Sequence, residues 1–137
     1  MSSENVDLIK GILASFEGAD SDAIREMLPA AIAETCDPEI EFVETPERVD
    51  AQTFHGHEGV LEAFNRWLDQ WDEYNAEAES FEDHGDEVFV VAREQGRGRS
   101  GATAEARLYL IYTVRDGKIA RYREFYDETA ARAALKD

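Results

Sequence analysis

The stretch Thr103-Ala-Glu-Ala-Arg-Leu-Tyr-Leu-Ile-Tyr-Thr-Val-Arg-Asp-Gly-Lys-Ile-Ala-Arg-Tyr-Arg-Glu-Phe-Tyr126 reads as two long strands, 103–114 and 118–126, joined at Arg115-Asp-Gly-Lys118. Strand side chains alternate between two faces. In the first strand Ala104, Ala106, Leu108, Leu110, Tyr112 and Val114 share the far more apolar face. In the second, Ala120, Tyr122, Glu124 and Tyr126 share a face, while Arg121 and Arg123 take the other. Even positions are therefore expected to face inward on both strands, because burying two arginines is costly. A two-residue Asp116-Gly117 turn would pair odd with even positions. A three-residue turn with a left-handed Gly117 and a bulge pairs Val114 with Lys118 and sets Leu108 opposite Glu124, and this register is expected.

Outward from that hairpin, 76–83 reads as a weak strand and 87–95 as a strong one. Val88, Val90, Ala92 and Glu94 share one face of the strong strand, although Phe89 and Val91 fall on the side that carries Arg93, Gln95 and Arg97. Residues 39–45 form an earlier strand with Ile40, Phe42 and Glu44 on one face, followed by a polar loop over 46–55. The N-terminal half is helical. Val6, Ile9, Leu13 and Phe16 mark a helix over 4–17 that Gly18 ends. Asp20 and Ser21 cap a second helix that stops near Pro29, with one further turn open at 30–34. The longest helix, 57–73, aligns Val60, Leu61, Phe64, Trp67, Leu68 and Trp71. Asp127 caps a short last helix. Helices first and strands last predict one α+β domain over 1–137, its N-terminal helices packed in the concave face of a strongly curved antiparallel sheet, a cone-like α+β barrel.

The chain has 137 residues, 43% hydrophobic and 33% charged, which suits one domain with its own core. Its net charge of −17 argues against nucleic acid, which needs a basic stripe. Solubility and life in high salt both account for that acidity, and the scarcity of lysine (Lys10, Lys118, Lys136) suits a salt-adapted or a GC-rich source. Neither a signal peptide nor a membrane-length apolar run is read. Cys36 is the only cysteine, so a reducing cytoplasm is the expected compartment.

Three carboxylates, Glu44, Glu94 and Glu124, are thus expected to project into one apolar concavity. Desolvation and mutual repulsion would raise at least one pKa and suit acid–base chemistry near neutrality. The plainer alternative makes Glu124 a buried carboxylate satisfied by a tyrosine or an arginine, with Glu44 and Glu94 solvated at strand ends. The expected pocket walls are Phe42, Glu44, Trp67, Leu108, Leu110, Tyr112 and Tyr122, around a cavity of about 300 Å³ or more. His55, His57, Glu58 and His84 match no standard zinc spacing, so no metal is expected. Gly96-Arg-Gly-Arg-Ser-Gly101 lacks the ending and the helix of a phosphate loop and reads as a hairpin tip.

The hairpin Tyr112-Thr-Val-Arg-Asp-Gly-Lys-Ile-Ala-Arg-Tyr-Arg-Glu-Phe-Tyr-Asp127 resembles the end of SnoaL-like polyketide cyclases, members of the nuclear transport factor 2-like superfamily. Asp37-Pro-Glu-Ile-Glu-Phe-Val-Glu44 and Phe54-His-Gly-His-Glu-Gly-Val60 resemble that family's first strand and the entry to its third helix. The resemblance implies a cone with a pocket at its open end, and small-molecule chemistry of isomerase, cyclase, dehydratase or epoxide hydrolase type, or none. Against the epoxide hydrolase, its two aspartates fall on Glu94 and Glu124, but its bridging arginine falls on Ala92, its tyrosine on Phe42 and its asparagine on Glu44. Isomerase or cyclase chemistry needs less: Glu124, with Glu94, as the acid–base pair and Tyr112 or Tyr122 as donor to an enolate oxygen, without a cofactor. The expected occupant is a small, largely apolar carbonyl compound, and a ligand-binding module without catalysis is the alternative. On the outer sheet face Tyr109, Ile111 and Phe125 sit among Arg107, Arg121 and Arg123, which predicts a two-fold homodimer through that face. A final helix folding back over the patch is the competing arrangement.

Overall fold

The computed structural model describes residues 3–98 and 100–135. Arg99, within the Gly96–Gly101 tip, and Lys136 lie outside the described residues. Four helices and six strands follow in the order α1 (Ser3–Ala14), α2 (Ser21–Thr35), β1 (Cys36–Val43), β2 (Thr53–His55), α3 (Gly56–Leu68), β3 (Trp71–His84), β4 (Glu87–Gly98), β5 (Thr103–Arg115), β6 (Lys118–Phe125) and α4 (Glu128–Ala134). The strands form one sheet in the order β2-β1-β6-β5-β4-β3. The α+β expectation holds, with two refinements. The sheet is mixed, because β1 runs parallel to β6, and it is open, with β2 and β3 at its edges.

Even positions of β5, and those of β6 from Tyr122 on, face inward as expected, but by another route. The turn is the two-residue one: Arg115 pairs with Lys118, and Asp116 and Gly117 both take positive φ, 53° and 75°. That is the type I′ geometry whose twist matches a hairpin, and glycine adopts it without a Cβ penalty. The bulge has moved one step along the ladder. Val114 pairs with Ile119 and Thr113 with Arg121, leaving Ala120 as the extra residue. Tyr112 therefore opposes Tyr122, and Leu110, not Leu108, opposes Glu124.

Inward side chains of β1, β4, β5 and β6 build the core with the three N-terminal helices. Ile9, Ile32, Ile40, Phe42, Val60, Val90 and Leu110 are all buried there. Helix α2 continues through Pro29. A proline in a helix interior costs roughly 3 kcal/mol, but stopping there would expose Ile32, which is buried one turn beyond Leu28. Helix α3 ends at Leu68, short of the expected 73, so Trp71 opens β3 opposite Gly98. Its ring lies on the bare backbone of Gly96, where a Cβ would come within 2.4 Å. The turn 69–70 keeps Trp71 beside Trp67, ring centroids 5.4 Å apart.

Helix α4 covers part of the outer face. Ala131 packs on Phe89 and Ile111, with Val91, Tyr109, Phe125 and Leu135 around them. This explains why apolar residues occupy the charged side of β4. It also covers part of the patch on which the expected homodimer rests, while Tyr109 and Phe125 stay half-buried. Arg123 is not solvent-facing, as the alternation implied, but buried, with Nη2 2.8 Å from Glu87 Oε2 and the two side chains 11% and 3% exposed. The exposed part of the face is charged, with Arg121 paired to Glu41 and Arg107 to Glu79.

Replacing Arg123 by alanine removes the guanidinium from a carboxylate that stays buried. Urea denaturation is expected to show a loss of about 3 kcal/mol. Arg121→Ala, at an exposed pair, should change stability by less than about 1 kcal/mol. Equal effects would contradict the burial of the Arg123–Glu87 pair.

Candidate active site

A cavity of about 210 Å³ opens between the helices and the concave sheet face. It is smaller than the expected 300 Å³, because α1 and α2 contribute Ile12, Phe16 and Leu28 to its walls. Every expected wall residue lines it: Phe42, Glu44, Trp67, Leu108, Leu110, Tyr112 and Tyr122, with Glu124 beside them. The aromatic stack is continuous. Phe42 lies 4.7 Å from Tyr122, Tyr122 lies 4.8 Å from Tyr112, and Phe64 packs on Phe42 at 5.4 Å.

Glu124 sits among these rings with its side chain 13% exposed. Burial pushes its carboxyl up to about 7, and the charges of Glu94 and Glu44 push the same way, against the pull of Arg48 and of the Tyr122 hydroxyl. Arg48 Nη2 donates to Glu124 Oε1 at 2.7 Å, and the Tyr122 hydroxyl lies 3.4 Å from Oε2. Burial also holds the Tyr112 and Tyr122 phenols well above their usual range, so both remain O–H donors.

Glu94 is placed differently. It is buried but does not line the cavity. The Tyr74 hydroxyl donates to its Oε1 at 2.7 Å and the Tyr126 hydroxyl to its Oε2 at 3.0 Å. Glu94 therefore acts on Glu124 by charge from behind two tyrosines. Glu44 stands just past the end of β1, where its Oε1 accepts the Gln52 amide at 3.1 Å.

Arg48 is the site residue that the sequence did not single out. It comes from the loop between β1 and β2, lies 4.6 Å over the Trp67 ring, and has its second carboxylate, Glu44, at 3.6 Å. Burial by itself would lower its pKa, yet the surrounding acids, Glu124 first, raise it. One signal was present: Arg48 is the only lysine or arginine between Arg25 and Arg66. Of the histidines, His57 Nε2 lies 2.9 Å from the Cys36 carbonyl and His84 Nε2 lies 3.0 Å from Glu82. Among the described residues no group of three or more His, Cys, Asp and Glu side chains is arranged to hold a metal ion, and no helix is long and apolar enough to cross a membrane.

The site offers one carboxyl that exchanges its proton near neutrality, two phenol donors and one guanidinium, all against an apolar cavity. Residues 17–122 match the sequence profile of the SnoaL-like domain. No curated protein matches the chain in sequence. Solved structures share the fold. TerC co-crystallised with polyporic acid superposes with a TM-score of 0.72 at 23% identity, over 94% of this chain and 95% of that one. A protein from Jannaschia sp. CCS1 named for a SnoaL-like polyketide cyclase gives 0.72 at 18%, over 98% and 92%. A protein from Catenulispora acidiphila DSM 44928 with a ketosteroid isomerase-like fold, in complex with trimethylamine, gives 0.69 at 14%, over 93% and 91%.

The raised carboxyl makes stability depend on pH. Glu124 is protonated in the fold up to about 7 but, unfolded, only to about 4.5. The fold binds the extra proton between those values, so its stability falls as pH rises through that window. Glu124→Gln removes this loss. The variant is expected to gain about 2–3 kcal/mol on wild type between pH 4.5 and pH 8. A difference that stays constant with pH would contradict the desolvated carboxyl.

Proposed function

The chain belongs to the SnoaL-like domain family, and on that footing we propose that it is a small-molecule enzyme that moves a proton beside a carbonyl, in isomerase or cyclase fashion. The observation that carries this is Glu124, a cavity-lining carboxyl that burial brings to about 7. In this scheme Glu124 takes the proton from the carbon next to the carbonyl. The electron pair moves onto the carbonyl oxygen, which Tyr122 or Tyr112 stabilises by donating a hydrogen bond. The proton returns at another carbon, or the enolate carbon adds to a second carbonyl of the same molecule, whose π pair moves onto its oxygen and takes the proton from Glu124. Glu94 serves by keeping a negative charge near Glu124, not by touching the substrate. The chemistry balances without an added oxidant, reductant or cofactor.

The cavity favours a compact, largely apolar substrate. Polyporic acid and trimethylamine, held by two proteins of this fold, support a ligand-binding role for the pocket. Epoxide hydrolysis has less support. The position of its bridging arginine is Ala92, and Arg48 approaches Glu124 from a loop instead. A binding module without chemistry is the second reading, favoured by the hold of Arg48 on Glu124. A reducing cytoplasm suits a chain whose one cysteine is a buried free thiol.

Deuterium wash-in from heavy water into the α-carbons of small apolar ketones, followed by NMR, tests the proposal. Wild type should exchange above the buffer rate, and Glu124→Gln should lose about 10²-fold or more of that rate. Exchange at an equal rate in both proteins, or none in wild type across the ketone panel, would sink the enzymatic reading.

A further inference from the structure

We propose that Arg48 is the anchor for an acidic oxygen on the ligand, and that an entering ligand takes Arg48 over from Glu124. The inference rests on reading the cavity as a small-molecule site. It adds the charge class of the occupant: a compact apolar body carrying one carboxylate or a comparably acidic oxygen.

Arg48 is the only cation among the described residues that line the cavity, where Glu17, Glu44, Glu77 and Glu124 also appear. The guanidinium is unevenly used. Nη2 carries both Glu124, at 2.7 Å, and Glu44, at 3.6 Å, while Nε is buried with no hydrogen-bond partner. A buried donor left unpaired is costly. The Nε–Nη edge of an arginine matches a carboxylate with two parallel bonds, so once the side chain turns and uncovers its buried Nε, an acidic ligand would satisfy that donor and compete for an Nη.

The loop presents this arginine from a fixed base. Thr45 is fully buried, and Glu47 Oε1 accepts both the Tyr126 amide, at 2.9 Å, and the Thr45 hydroxyl, at 3.2 Å. The Arg48 amide donates to the Thr45 carbonyl at 3.2 Å, and Trp67 supports the guanidinium face. A shift of the side chain alone would move its hydrogen bonds from Glu124 toward the cavity.

Releasing Glu124 has an electrostatic result. The groups around it are Glu44 from the loop, Glu94 from β4, Tyr74 from β3, Tyr112 from β5 and Tyr122 and Tyr126 from β6 and just beyond it. Arg48 is the cation that holds the carboxyl down. Once the ligand engages Arg48, Glu124 keeps its carboxylate neighbours and loses that pull, so it takes up a proton. Anion binding is thereby coupled to protonation of Glu124, so a bound anion meets the acid form and proton abstraction is left to ligands without an acidic oxygen.

Calorimetric titration with cinnamate and with the neutral cinnamyl alcohol, from pH 6.5 to 8.5 in about 0.15 M salt, tests this. Cinnamate should bind wild type at least tenfold tighter than the alcohol at pH 6.5. Its affinity should fall by close to tenfold per unit above the carboxyl's value of about 7, with buffer-dependent heats that report proton uptake. Glu124→Gln should flatten that profile and bind cinnamate more than tenfold tighter than wild type at pH 8.5. Arg48→Met should lose the preference for cinnamate and keep the alcohol. Wild-type cinnamate affinity that does not change with pH, or undiminished cinnamate binding by Arg48→Met, would overturn the proposal. Alcohol binding with no preference for cinnamate would overturn it alone, and no binding of either compound would overturn the small-molecule reading with it. Anion binding as described without deuterium exchange would support this inference while removing the enzymatic one.

Discussion

One surplus residue, Ala120, holds the inner surface of this protein together. The tight Asp116-Gly117 turn pairs odd positions with even ones, and continued without interruption it would turn Tyr122 and Glu124 to the outside. The extra residue in β6 restores parity within two pairs of the turn. Tyr112 then meets Tyr122, Leu110 meets Glu124, and both strands point the same way. A second irregularity in β3, where Glu79 is passed over between Ala78 and Ser80, does the same at the edge. It keeps Tyr74 and Ala78 on the core side before it and Phe81 after it. Bulges also increase local twist, which suits a sheet that must bend around three helices.

With the faces set, the site follows from a conflict between burial and charge. Phe42, Tyr112 and Tyr122 exclude water from Glu124, and Glu94 and Glu44 add negative charge nearby. A buried carboxylate without compensation would be expensive. The fold supplies that compensation from the loop carrying Arg48, helped by the Tyr122 hydroxyl. Glu94 is satisfied separately by two phenols. Glu94 therefore has its own partners, whereas Glu124 shares Arg48 with Glu44 and has the Tyr122 hydroxyl besides.

The parts of the molecule governed by periodicity were legible in the sequence. Alternation along β1, β4, β5 and β6 gave the inward faces and placed Phe42, Leu108, Leu110, Tyr112, Tyr122 and Glu124 around one cavity. The stripe on α3 identified Trp67 as a wall. Features governed by tertiary partners were not legible. Nothing in Glu44-Thr-Pro-Glu-Arg-Val-Asp50 repeats, so the destination of Arg48 depends on where β6 lies beside β1. The end of α2 could not be read from Pro29, because the burial of Ile32 outweighs the local penalty. Trp71 fits the helical stripe in sequence, yet the chain turns first, and its ring is accommodated by the absence of a side chain on Gly96. The outer patch of Tyr109, Ile111 and Phe125 was found correctly as apolar. Its cover is α4, a seven-residue helix whose own sequence, mostly alanine, advertises no docking face.

The two tryptophans of the chain share one corner. Trp67 and Trp71 are 5.4 Å apart, Tyr74 lies 5.8 Å and 6.2 Å from them, and the Arg48 guanidinium covers Trp67. The indole light of this protein therefore originates at the cavity wall formed by Trp67 and beside it at Trp71, and nowhere else. A cation on the face of an indole perturbs its excited state, so emission colour and yield register the position of Arg48 with no label attached. The opposite side of the sheet, where α4 rests on Phe89 and Ile111, contains no tryptophan and is dark in the same measurement. Intrinsic fluorescence thus behaves as a local gauge of that wall, whereas circular dichroism averages over the whole chain.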